Sequence, residues 1–257
     1  MSLARTARIC PKHAHTDDAR SWLVPALCSA ATLWLSPAWA DGIVVDRVYD
    51  PYVQPLEKEI EWRSVALNDE NSDALDDRQL HRLGVGRSFS DRWFGEVYLV
   101  AGNHEDKNLS VEGAELEAKW QITEQGEYAA DWGMLFELER EREDKQWEAA
   151  ATLLSAREWG RWTGTANFAV IYEWRDDLVN EWETQLRLQA RYRLSPAFEP
   201  MVELYAGQNT LGIGPVARGA FKFERARQLL WEVGVILGVT DESPDQTLRL
   251  SLEYEFY

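Results

Sequence analysis

Cysteine is nearly absent. The 257-residue chain has two, Cys10 and Cys28, and both precede residue 40. If the chain is cut after Ala40, no Cys remains, which excludes disulfides and Cys-ligated metal sites. Histidine and methionine are scarce too. Of four His only His81 and His104 follow residue 40, and the whole chain has three Met. A soft-metal site wants these residues in density. Clusters of Lys and Arg are also missing. With 27 basic and 44 acidic residues the formal charge is −17. Such a chain is a poor partner for nucleic acid, whose phosphates reward grouped cations. After residue 40 no apolar run approaches the roughly 18 residues of a transmembrane helix.

The one long apolar run is "SWLVPALCSAATLWLSPAWA", residues 21–40. Arg5, Arg8, Lys12 and Arg20 precede it, and Ala38-Trp39-Ala40 closes it as a small-x-small cleavage site. This pattern marks a secretory signal peptide over 1–40. An uncleaved anchor is the alternative, since Asp17 and Asp18 are atypical before the apolar run. Pro25-Ala26-Leu27 before Cys28 is no lipidation motif. Residues 1–40 hold four basic and two acidic side chains, so their removal takes the charge to −19.

What is present is alternation. In "GAELEAKWQI", Ala114, Leu116, Ala118, Trp120 and Ile122 alternate with Glu115, Glu117, Lys119 and Gln121. "YAADWGMLFELERE" sets Trp132, Met134, Phe136 and Leu138 against Asp131, Glu137 and Glu139. "EWETQLRLQARYRL" and "TLRLSLEYEFY" repeat the pattern. A period of two is that of a β-strand. Twelve such segments are expected, near 57–67, 78–89, 92–102, 109–122, 128–141, 146–157, 160–174, 181–194, 197–207, 211–224, 228–240 and 246–257. Pro200 and Pro215 weaken two of them, because proline cannot donate to a ladder. Most exceed the 5–6 residues usual in soluble sheets and match the 9–11 of a membrane-crossing strand. Connections after even-numbered strands are short, and those after odd-numbered strands are on average longer and more acidic. Trp62, Trp93, Trp120, Trp147, Trp162, Trp174, Trp182, Tyr192 and Tyr254 fall in the apolar phase near strand ends, as interfacial aromatics do.

A sheet in hydrocarbon cannot leave its edge unpaired, so it must close. The expected fold is all-β, a single antiparallel transmembrane β-barrel of about twelve strands over 57–257. Residues 41–56 are expected as a periplasmic N-terminal segment, able to enter the lumen. With its signal peptide, alternating strands and aromatic C-terminal strand "LRLSLEYEFY", the chain resembles the outer-membrane β-barrel proteins of Gram-negative bacteria. Tyr257 stands last where the class usually has Phe, and Phe256 is penultimate. The segment "DRVYDPYVQPLEKEIEWRS" also resembles the opening of a proteobacterial barrel family with no assigned activity. The resemblance implies outer-membrane location, contact with outer-membrane lipid and delivery by the outer-membrane assembly machinery.

An enzyme needs a nucleophile, a base and an orienter. Neither remaining His neighbours a Ser in a recognisable motif, so no catalytic residue is assigned. The acidic stretch "NDENSDALDD" lacks EF-hand spacing, and no metal or cofactor site is assigned. The inward charges are the strongest feature. Glu115, Glu117, Glu137, Glu139, Glu173 and Glu183 are expected toward the outer mouth. Lys119, Arg187, Arg191, Arg193, Arg218 and Lys222 are expected at mid-depth or lower. The expected function is a porin-like channel for a small polar or charged solute. The alternatives are a closed barrel filled by ion pairs, a lateral-exit transporter for hydrophobic compounds, and a lipid hydrolase.

Overall fold

The structure, a computed structural model, describes residues 44–69, 77–103, 108–142, 145–175 and 180–257. The expected signal peptide and cleavage site, His104 and most of the acidic stretch after Asn68 lie outside the described residues. Twelve strands follow one another: β1 Lys58–Asn68, β2 Gln79–Ser88, β3 Trp93–Asn103, β4 Leu109–Gln121, β5 Asp131–Glu141, β6 Trp147–Trp159, β7 Trp162–Trp174, β8 Glu181–Tyr192, β9 Glu199–Ala206, β10 Leu211–Phe223, β11 Arg227–Gly238 and β12 Gln246–Phe256. Each pairs antiparallel with its neighbours in sequence, and β1 pairs with β12 to close a barrel. The closing seam runs the full length of both strands, from Lys58↔Phe256 to Asn68↔Gln246.

Alternation sets which side each residue faces, and the sides are inverted relative to a water-soluble protein. Among the described residues, buried polar or charged side chains number 28 against 21 buried apolar ones. Leu83, Val97, Leu116, Phe136, Phe168, Leu186, Leu188 and Leu248 are exposed. In water such a surface would be a liability. Against lipid it is the favourable one.

The aromatic side chains mark the limits of the apolar band. Trp93 stacks on Trp120 at 5.6 Å, and Trp162 meets Tyr192 edge-on at 5.0 Å, both at the end holding the short turns. At the opposite, long-loop end Trp147 stacks on Trp174 at 6.1 Å and Tyr172 packs on Trp182 at 4.6 Å. Trp62 lies nearer mid-strand. Twelve residue steps separate Trp162 from Trp174 on β7. At about 3.3 Å per residue and a tilt near 40°, they span about 30 Å of bilayer normal, the thickness of the hydrocarbon core.

Two local departures shape the wall. The register between β3 and β4 shifts between Val100 and Ala101, leaving Glu112 as the extra residue of a bulge. The seam between β8 and β9 holds only six pairs, from Leu186↔Ala206 to Arg191↔Met201. There β9 is short, and Glu181–Gln185 of β8 have no ladder partner on that side. Pro200 and Pro215 both fall in the β9–β10 ladder. Strand β5 begins three residues later than its period suggests. The Asp131 carboxylate accepts a bond from Gly126 N, 2.8 Å, and closes residues 122–130 into a wider turn.

Leu188 lies near the middle of β8 on the lipid side, and Thr184 lies on the same side near the loop end. Leu188→Arg should lower unfolding stability in lipid vesicles by roughly 2–4 kcal/mol, and Thr184→Arg by about 1 kcal/mol or less. Equal losses in urea titrations would remove the depth dependence.

Candidate functional site

The lumen is crossed by the chain itself. Residues 44–57, which take in the described part of the 41–56 segment expected at the periplasm and able to enter the lumen, run through the barrel interior from the loop end to the turn end. Val44 packs 3.2 Å from the position a Gly207 side chain would take, at the β9–β10 loop. At the other end, Val53 N donates to Gln121 Oε1 at 2.8 Å, and Ser88 Oγ donates to the Gln54 carbonyl. Leu56, at φ 66°, makes the left-handed turn that reverses the chain into β1.

This strap is held by every kind of contact the lumen offers. Val44, Val45 and Val48 pack with Met201, Tyr205, Val216 and Ile236. Tyr49 packs with Leu135 and Leu154. Asn167 of β7 clamps the Tyr49 backbone from both sides, accepting from its N–H at 2.7 Å and donating to its carbonyl at 2.9 Å. Asp50 accepts from Thr165 at 3.1 Å and pairs with Arg191 and Arg218, each at 3.3 Å. Arg47 reaches Glu61 at 2.9 Å and Glu253 at 2.8 Å. The Tyr52 hydroxyl donates to Asp131 at 2.8 Å.

Arg63 is the hub, and it is 4% exposed. Its guanidinium donates to Asp46 at 3.1 Å, to Tyr49 Oη at 2.6 Å and to Glu117 at 2.8 Å. It also lies 4.5 Å over the Tyr98 ring. On the adjoining strand β12, Arg249 donates to the Asp46 carbonyl and pairs with Glu232 and Glu203. The Tyr205 hydroxyl donates to Glu203 at 2.7 Å. Removing one partner of such a buried pair costs about 3–5 kcal/mol, because the other charge stays buried alone.

The inward charges divide by depth. Toward the loop end Glu139, Glu148, Glu173 and Glu181 are ladder neighbours across β5 to β8, with Glu183 beside them. Arg82 is the cation among them, 2.8 Å from Glu115 and 3.5 Å from Glu139. Glu137 stands one step deeper than Glu139 and accepts from Thr152. Glu117 lies at mid-depth against Arg63, as does Arg187, which pairs in the ladder with Asn167 and Tyr205 and donates to Gln185 at 2.9 Å. Toward the turn end lie Arg191, Arg193, Arg218, Lys222 and Lys119, the last 5.4 Å over the Phe94 ring. Glu158 and Glu199 sit among them, pairing with Arg193 at 2.8 Å and Arg218 at 3.3 Å.

The strap does not fill the lower lumen. A cavity of about 360 Å³ lies beside Tyr49, Asp50, Lys119 and Arg191. Another of about 280 Å³ lies beside Lys222, Gln228 and Glu232, and both share Arg47, Glu199, Arg218 and Glu253.

Sequence reasoning read residues 41–56 as a periplasmic segment able to enter the lumen and left its path open. Only its mix of Val, Tyr and paired charges hinted at a buried role. A second neighbourhood invisible in the sequence is on the lipid side, where the ladder sets Ser64 opposite His81. His81 stacks on Trp62 at 6.1 Å, and no hydrogen bond joins it to Ser64.

No protein-family model matches the chain, and no curated protein matches it. Solved structures do. An outer-membrane channel from Pseudomonas putida F1 superposes with a TM-score of 0.57 at 14% identity, over 82% of this chain and 99% of that one. The KdgM porin in complex with disordered oligogalacturonate gives 0.50 at 12% identity, over 77% and 98%. At these identities the likeness is one of fold: the chain has the architecture of outer-membrane β-barrels.

The Asn167 clamp gives a direct test of the strap. With no Cys between 44 and 257, Val48→Cys offers a single thiol in a chain lacking residues 1–40. Two lost hydrogen bonds of about 1 kcal/mol each should raise strap opening by roughly ten- to thirty-fold. Asn167→Ala should therefore speed maleimide labelling at position 48 by that factor. An unchanged rate would mean that Asn167 does not hold the strap.

Proposed function

We propose that the protein is an integral outer-membrane channel for small polar or charged solutes, closed at rest by its own residues 44–57. The observation that carries this reading is the pair of cavities beside the strap, each lined by charged side chains. A lumen built only to be filled would pack to the density of a protein interior. This one keeps solvent-sized space lined by both signs of charge, next to a segment held by exchangeable ion pairs.

The charge layout suggests what would pass. Carboxylates at a mouth concentrate cations, and rings of charge set ion preference. Arg191, Arg193, Arg218 and Lys222 oppose free cation passage lower down. A solute bearing both signs fits this sequence of fields. So does an anion held beneath a cation-attracting rim.

A closed, structural barrel is the second reading, and the clamps on Tyr49, Asp46 and Asp50 favour it. Planar-bilayer recording separates the two. The chain lacking 44–54 should insert and conduct steadily, with conductance several-fold above the intact protein. Arg47→Ala with Asp50→Ala should give intermediate, flickering openings. A folded deletion barrel that carries no current would overturn the channel and leave the structural reading.

Selectivity follows from the same layout. In the deletion background, Glu139→Gln with Glu148→Gln should lower cation preference in reversal-potential measurements, and Arg191→Gln with Arg193→Gln should raise it. Both effects should shrink at 1 M salt, where the Debye length is about 3 Å.

A further inference from the structure

We propose that the wall spanning β1, β2 and β3 binds a calcium ion through Glu59, Glu61 and Glu96. Each of these buried residues offers a carboxylate oxygen, and the three oxygens lie within 4.8 Å of one another. Two oxygens facing each other across Ca²⁺ at about 2.4 Å stand up to about 4.8 Å apart, whereas Mg²⁺ at about 2.1 Å would hold them within about 4.2 Å. Oxygen-only ligands suit these hard cations rather than zinc or copper.

An acidic cluster alone would not mark a site, but Glu96 adds a second observation. It is 6% exposed, and its Oε1 is buried without a hydrogen-bond partner. That oxygen lies 2.7 Å from where a Gly84 side chain would begin, and Gly84 is the ladder partner of Glu61. Glu96 therefore aims a bare oxygen over a glycine, toward the Glu61 position. Gly86, one step nearer the turn end, faces Glu59 in the same ladder. The Tyr98 ring packs over Gly84 and the Phe94 ring over Gly86, so the two glycines admit the rings that flank the three carboxylates, and any Cβ at 84 would displace Tyr98 and press on Glu96.

The surrounding charge supports a cation. Glu57, Glu253 and Glu255 form a second close trio on the adjoining β12 edge of β1. Arg47 answers Glu61 and Glu253. Arg63 lies 3.6 Å from Glu61, but its hydrogen bonds go to Asp46, Tyr49 and Glu117. Glu61 is already oriented, accepting from Arg47, Ser251 at 2.8 Å and Tyr98 at 2.6 Å. Glu59 and Glu96 border the 360 Å³ cavity, which gives a route in and room for water ligands.

The test is calorimetric titration of the folded protein, residues 41–257 in detergent, with CaCl2. One Ca²⁺ should bind per barrel, and Mg²⁺ should bind at least ten-fold more weakly. Glu96→Gln should weaken Ca²⁺ by ten-fold or more. Gly84→Ala should weaken it without removing a charge. Glu148→Gln, at the loop-end row, should leave it unchanged. If Glu96→Gln does not fold, as judged by heat-modifiable gel mobility, Glu59→Gln takes its place with the same expectation. Three results overturn the site: no Ca²⁺ heat in the parent protein, unchanged affinity in Glu96→Gln or its substitute, or an equal loss in Glu148→Gln. None of these readings depends on whether the barrel conducts.

Discussion

The constraint from which the rest follows is that a sheet in hydrocarbon has nowhere to put an unpaired backbone group. Eleven consecutive pairs between β1 and β12 meet it. Once the sheet is closed, the period of two allots every second residue to a space cut off from lipid. That space must then dispose of what those residues carry, and here they carry charge. The interior becomes a problem in neutralisation rather than in apolar packing.

The strap is the chain's answer at mid-depth. Arg63 and Arg249 come from the two strands of the closing seam and Asn167 from β7 across the barrel, and each bonds to Asp46 or Tyr49. One short segment thus ties distant parts of the wall together. The same arrangement leaves surplus carboxylate at the loop end and on β1 and β3, where the strap supplies a single cation, Arg47, paired with Glu61. The open space lies in the lower half, beside the part of the strap held mostly by ion pairs.

The barrel was legible because its signal is local. In β8 the alternation of Glu183, Gln185, Arg187 and Gln189 with Thr184, Leu186 and Leu188 needs no partner to be read, and Glu181–Tyr192 falls within the expected 181–194. Ends were harder, since a turn such as 122–130 is fixed by one Asp131 bond that composition does not display. The path of the strap was not legible. Its contacts with Asn167, Arg191 and Arg249 lie 118, 141 and 203 residues away along the chain, and no pattern within 44–57 names them. The pairing of Glu117 with Arg63 was hidden for the same reason. Period gives the face of a residue, and only the register gives its neighbour.

A cylinder that encloses its own leading segment also has a history. Threading residues 44–57 through a finished lumen would drag Asp46, Arg47 and Asp50 past rings of charge with their final partners not yet made. Laying them into a curved, still-open sheet avoids that barrier, because each strand that joins can find its contact on the strap as it arrives. On that order the segment would serve as a mandrel during assembly, with the β1–β12 seam closing last around a core already seated.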